Sequence, residues 1–126
     1  RAGMSNLTMT AAFEWGHAGV RVNAVAPGWV ASSGMDTYGP MMKPLIRRLK
    51  DRVPLGRLAM EAEVSAAIVF LLSPAAAFIS GVTLQIDGAA SLGNAVFPLQ
   101  TGRPSAPFDG FHRATLPAVL QEGNGA

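Results

Sequence analysis

Met4, Leu7, Met9, Ala11, Ala12 and Trp15 recur at helical spacing while Asn6 and Glu14 can face elsewhere, which predicts a helix of about three to four turns over residues 1–17. Gly16 and Gly19 then punctuate the chain. Residues 20–26 alternate and are rich in valine until Pro27 and Gly28 stop them, as a buried strand does. Helix, short turn and strand make half of a crossover unit. Residues 29–54 follow no period, and Ser32, Ser33, Gly34, Gly39 and Pro40 precede a short helix expected over 43–52. Residues 61–72 carry Val64, Ala67, Ile68, Leu71 and Leu72 on one helical face, with Glu61 and Glu63 in the first turn, where the helix dipole favours negative charge. Ser73 and Pro74 end that helix. Gly81 introduces a second buried strand over 82–86, and Asp87 with Gly88 turns the chain out of it.

After Ser91 the chain is rich in Gly and Pro, yet it carries Phe97, Leu99, Phe108, Phe111, Leu116, Val119 and Leu120. These are too many apolar side chains to leave in water, so the tail is expected to dock on its own subunit or on a neighbour. Two strands do not make a stable parallel sheet with both faces covered, so further strands must come from elsewhere. Arg1 is not an initiator Met and the first residues already read as helix interior. An upstream portion is therefore expected.

Composition narrows the function. Hydrophobic residues make up 49% of the 126 and charged ones 14%, which suits a packed core and not a disordered segment. The longest apolar run, residues 66–72, is far short of the roughly 20 residues that cross a bilayer, so no membrane partner is expected. The formal charge of +2, concentrated only locally at Arg47, Arg48, Lys50 and Arg52, does not indicate a nucleic-acid partner. Cysteine is absent and the two histidines, His17 and His112, are far apart, so no metal site is expected and a reducing compartment such as the cytoplasm fits.

The stretch Val22-Asn23-Ala24-Val25-Ala26-Pro27-Gly28-Trp29-Val30 resembles the segment of short-chain dehydrogenases/reductases that brings a strand end to the nicotinamide. It is followed, at family-like spacing, by Val53-Pro54-Leu55-Gly56-Arg57, Glu63-Val64-Ser65, Leu71-Leu72-Ser73-Pro74, Phe78-Ile79-Ser80-Gly81 and Ile86-Asp87-Gly88. The resemblance implies an α/β fold: the C-terminal part of a Rossmann-type doubly wound parallel sheet, its last two strands with flanking helices, plus a docked irregular tail. Residues 1–90 would be the C-terminal half of that domain, with a lid at about 31–53, and 91–126 a C-terminal extension.

The resemblance also implies site residues. Pro27 and Gly28 end the strand so that main-chain groups at Trp29 and Val30 approach the nicotinamide carboxamide, and Ser32 stands where the family usually has a threonine hydroxyl. The family's catalytic tyrosine is followed four residues later by a lysine and then Ala-Gly. Here Arg1 stands at the lysine position before Ala2 and Gly3. An arginine can hold ribose hydroxyls and supply charge, but it cannot relay a proton as lysine can. Some relatives carry a second tyrosine–lysine pair slightly later, where this chain has Ser5 and Met9.

The Ala-Gly junction, residues 31–38 and residues 108–113 resemble the branch that includes peroxisomal trans-2-enoyl-CoA reductases and bacterial citronellol/citronellal dehydrogenases. Met35 and Tyr38, with Trp29, Met41 and Met42, either meet an elongated apolar substrate or pack the lid on its own subunit. Lys43, Arg47 and Lys50 either meet the phosphates of coenzyme A or form a solvated face. His112, in the tail, is not expected to be catalytic. Asp87 is expected to cap a turn, and Ala89 stands where glycine is more usual.

The resemblance thus implies an oxidoreductase using NAD or NADP on an apolar alcohol, carbonyl or acyl-CoA substrate, assembled as a homotetramer. The alternative is a non-catalytic fragment or assembly element, because the glycine-rich phosphate loop and the tyrosine are not in this sequence.

Overall fold

The computed structural model describes residues 2–93, 99, 102–108 and 116–121. Helix α1, Ala2–Trp15, continues into a 3₁₀ turn, Gly16–Ala18, that closes on Gly19 in the left-handed region at φ 74, a conformation that only glycine takes freely. Strand β1, Ala24–Pro27, follows and leads into the two-residue β2, Val30–Ala31. Three short 3₁₀ turns surround helix α2, Lys43–Arg48. The two-residue β3, Ala59–Met60, then runs directly into helix α3, Glu61–Leu72. A 3₁₀ turn, Pro74–Ala76, strand β4, Thr83–Ile86, another 3₁₀ turn, Ala90–Leu92, and a last short helix, α4, Ala118–Gln121, follow.

Strands β1 and β4 pair in parallel, with Ala24 beside Thr83 and Pro27 beside Ile86, so both reach their carboxyl ends at the same level. Parallel neighbours require a crossover, and α3 supplies it. Strand β1 is shorter than the sequence predicts. Residues 21–23 approach residues 79–82 through single bonds instead of a ladder: Val22 N–H donates to the Ser80 hydroxyl, the Asn23 side chain joins the Ile79 carbonyl and the Val82 N–H, and Gly81 N–H donates to the Val22 carbonyl. The Arg21 guanidinium donates to the carbonyls of Leu71, Ser73 and Ile79 and so closes the C-terminus of α3.

The second pairing, β2 with β3, is also parallel, Val30 beside Ala59 and Ala31 beside Met60. Two residues are too few for periodicity to announce, so this ribbon was invisible in the pattern. It matters because it clamps the backbone just beyond Pro27 and Gly28.

One buried cluster lies in the irregular segment, while Ala11, Ala62, Leu71 and Ala76 are buried apart from it. Ala31, Met35, Ile46, Leu58, Met60 and Val119 form one buried cluster, with Leu49 and Leu120 packed on it. Val119, in the tail, is only 1% exposed. By contrast α1 buries only Thr8 and Ala11. Phe13, 90% exposed, and Phe78, fully exposed, leave large apolar surface bare on the α1 and sheet side. Among the described helices none is long and apolar enough to cross a membrane.

Candidate functional site

The aligned ends of β1 and β4 are held unusually close. Gly28 N–H donates to the Ile86 carbonyl at 3.0 Å, and a Cβ on Gly28 would lie 2.8 Å from Asp87 Cβ and 2.9 Å from Asp87 Cα. Only glycine permits that approach. Outside these ends is a crevice of about 480 Å³, lined by Pro27, Gly28, Trp29, Gln85, Asp87 and Ser91 among others. Trp29, Gln85 and Asp87 also line an adjoining hollow of about 220 Å³ that extends past Val53, Leu55 and Gly88 to Arg57, Ala59 and Glu63. In open parallel sheets this is where ligands bind.

Asp87 builds the floor as a turn-maker. Its carboxylate accepts the N–H groups of Ala89 at 2.9 Å and Ser91 at 3.1 Å. Hydrogen bonds from Ser91, side chain and main chain, with that of Ala89, hold the Asp87 carboxyl below its ordinary value. Ala89 itself sits at φ 68, a strained setting for a residue with a Cβ.

Arg57 and Glu63 form a bidentate pair at the wall. The guanidinium meets the two carboxylate oxygens at 2.7 Å and 2.6 Å, and Glu63 also accepts the N–H of Met60 at 2.8 Å and of Phe108 at 3.2 Å. The first of these amide bonds caps α3 in the manner of a capping box. Arg57 further donates to Ser105 and to the carbonyls of Leu58 and Ala106. Burial pushes the Glu63 carboxyl up, but the hydrogen bonds from Arg57, Met60 and Phe108, together with the guanidinium charge, outweigh it and leave the pKa lowered. Both residues belong to motifs legible in the sequence, yet their six-residue spacing crosses a strand into a helix and signalled no contact.

Of the expected site residues, Pro27, Gly28 and Trp29 come together at the crevice. The Trp29 carbonyl accepts Ala59 N–H at 2.9 Å and the Val30 carbonyl accepts Ser32 N–H at 3.0 Å, and a carbonyl oxygen has two lone pairs with which to accept. Ser32 is half-buried at the start of the 3₁₀ turn Ser33–Thr37. Met35 is buried in the core cluster, whereas Tyr38 is 55% exposed. Arg1, together with Phe97, Phe111 and His112, lies outside the described residues. No group of His, Cys, Asp or Glu suited to a metal ion occurs among the described residues.

Sequence reasoning did not foresee how the tail is fastened. The Asp36 carboxylate accepts the N–H groups of Ala118 and Val119, both at 3.1 Å, and Arg47 Nε donates to the Val119 carbonyl at 2.8 Å. Asp36 and Arg47 thus tie α4 to the segment 31–53, and Val119 enters its core.

Parallel strands with flanking helices and a crevice at the strand ends define a Rossmann-type α/β protein. A family model described as enoyl-(acyl carrier protein) reductase matches residues 1–91. A solved structure, a citronellol catabolism dehydrogenase of Pseudomonas aeruginosa PAO1, is 60% identical with a TM-score of 0.57, covering 72% of this chain and 33% of that one. Among curated relatives, a galactitol 2-dehydrogenase (L-tagatose-forming) of Cereibacter sphaeroides is 40% identical over 88 residues, covering 70% of this chain and 34% of the relative. A cis-4-hydroxycyclohexanecarboxylate dehydrogenase of Sinomonas cyclohexanicum is 43% identical over 93 residues, again covering 70% and 34%. The chain belongs to the short-chain dehydrogenase/reductase family. It spans about a third of the length of the curated relatives it matches.

Proposed function

We propose that this chain supplies the nicotinamide-facing wall and the substrate cover of an oxidoreductase that uses NAD or NADP. The observation that carries this reading is the crevice at the level carboxyl ends of β1 and β4, with Trp29 on its wall. A pyrophosphate finds no cation among the residues that line the crevice itself, and Arg57 in the adjoining hollow is already paired with Glu63. The residues here suit the nicotinamide end of the cofactor.

When bound, the nicotinamide supplies or accepts the hydride. The chain's own share is orientation: the main chain at Trp29 and Val30 meets the carboxamide, Ser32 offers a hydroxyl, and Arg1 contributes charge and a ribose contact. For substrate we favour an apolar alcohol or carbonyl, in keeping with the citronellol dehydrogenase likeness, over an enoyl-CoA ester. Tyr38 and Met42 are exposed along the cover, where a thioether and an aromatic ring adapt to irregular apolar shapes. We further propose a cytoplasmic homotetramer, to which the bare Phe13 and Phe78 surfaces contribute.

Those same bare surfaces favour a second reading, in which the chain as it stands is an assembly element. Tryptophan fluorescence of this chain completed with the upstream part that its relatives have, titrated with NADPH and NADH, separates the two, because Trp29 lines the crevice and Trp15 lies in α1. Saturable quenching that disappears in Trp29→Phe is the expected result. A folded protein whose fluorescence responds to neither cofactor would sink the oxidoreductase reading and leave the assembly element standing.

A further inference from the structure

A second cavity, of about 480 Å³, opens between the segment 31–53 and the tail, and it is separate from the strand-end crevice. Leu58 and Met60 line it, while Ala59 between them lines the hollow beside the crevice. Alternate residues of an extended segment point to opposite faces, so the two spaces lie on either side of it and adjoin at Arg57. The volume falls within the roughly 300–1,000 Å³ of small-molecule sites.

Its chemistry is divided. Leu58, Met60, Leu116 and Leu120 give it an apolar floor continuous with the buried core. Cations gather on one side: Arg47, Arg48 and Lys50 line it against the single carboxylate of Asp51, and the charge of Arg57 is offset by Glu63. Arg47 is engaged through Nε with the Val119 carbonyl. Arg48, at the end of α2, and Lys50, in the turn that follows, are exposed.

We propose that this cavity binds an amphiphilic anion, an alkyl chain bearing a carboxylate or phosphate head. The chain lies on the leucine and methionine floor, and the head meets Arg48 and Lys50, which as cations form charge-assisted hydrogen bonds with either group. Bound there, the ligand joins the tail to the segment 31–53 and strengthens the attachment made by Asp36, Arg47 and Val119. The cavity shares no lining residue with the strand-end crevice, though Arg57 also lines the hollow beside that crevice.

The test is isothermal titration calorimetry of the full chain with sodium decanoate and with decyl phosphate, using decanol and decyltrimethylammonium as controls, all below their micellar ranges. Saturable one-to-one binding of at least one anion is expected, about tenfold tighter than either control and weakened about tenfold by the double substitution Arg48→Glu with Lys50→Glu. Which anion binds tells a carboxylate head from a phosphate one. Leu116→Glu, which sets a carboxylate against the floor, weakens binding from the other side. Equal binding of the controls, indifference to the charge reversal, or no binding at all overturns the proposal. Because neither Arg48 nor Lys50 lines the crevice or the hollow that Trp29 lines, cofactor quenching of Trp29 in the completed protein is unchanged in the double variant, so a failure here is separable from a failure at the crevice.

Discussion

Replacing Glu63 by Gln keeps the size of the side chain and removes its charge. In the protein this carboxylate accepts two bonds from Arg57 and one each from the amides of Met60 and Phe108. The Gln amide nitrogen would present donors to donors on one side of that set. Hydrogen bonds to a charged group contribute about 1.5–3 kcal/mol each when well buried, but they are not additive. The pair is also partly in solvent, with the two side chains 20% and 19% exposed. Discounting for screening, Glu63→Gln is expected to cost about 2 kcal/mol at pH 7. For a urea slope near 2 kcal/mol per molar, the midpoint falls by about 1 M.

The pH dependence sharpens that test. The folded pKa of Glu63 is lowered from its ordinary 4.5, so its contribution is fully present above the unfolded value and is lost as pH falls through the folded one. The gap between wild type and Glu63→Gln should therefore be constant from pH 7 to about pH 5 and close as pH drops below 4.5 toward the folded value. Urea melts followed by circular dichroism across that range measure it. A gap that is absent at pH 7, or that persists unchanged through acid, would refute the view that the charged carboxylate ties β3, α3 and the tail together.

Gly28→Ala sets a Cβ 2.8 Å from Asp87, and the overpacking should cost about 1–3 kcal/mol and weaken cofactor quenching of Trp29; an unperturbed melt would show that the strand ends can separate freely. Ala89→Gly relieves a Cβ at φ 68 and should stabilise by about 0.5–1 kcal/mol after the entropy of the added glycine is counted, read as a higher urea midpoint. Val119→Ala removes two methyl groups from a site 1% exposed and should cost about 2 kcal/mol locally, seen as faster amide exchange in residues 31–53 and 116–121 with α1 unaffected.

Much of the backbone plan was readable before any coordinates. The apolar spacing of 61–72, its acidic first turn and the serine and proline that follow marked the bounds of α3, although of its residues only Ala62 and Leu71 are buried and Leu72 stays in water. The stop at Pro27 and Gly28 and the turn at Asp87 and Gly88 marked where β1 and β4 end. Boundaries failed where side chains replaced the ladder, as at Arg21 and Asn23, because their partners stand 50 or more residues away. The tail was expected to dock on the strength of its apolar residues alone, and Val119 does so, but neither Asp36 nor Arg47 announced itself as its fastening.

Local order therefore belonged to the sequence: period, propensity and turn residues act over a few positions and set helices, strands and stops. Tertiary structure alone decided which of these meet. It brought Gly28 against Asp87, Arg57 onto Glu63 and Val119 into one cluster with Met35 and Met60. Packing and charge pairing depend on distance in space, and residues far apart along a chain carry no local signal of it. It also placed Met35 in the core while Tyr38, three residues on, stayed in water, because a 3₁₀ turn and a docked tail set which side chain had a cavity to fill.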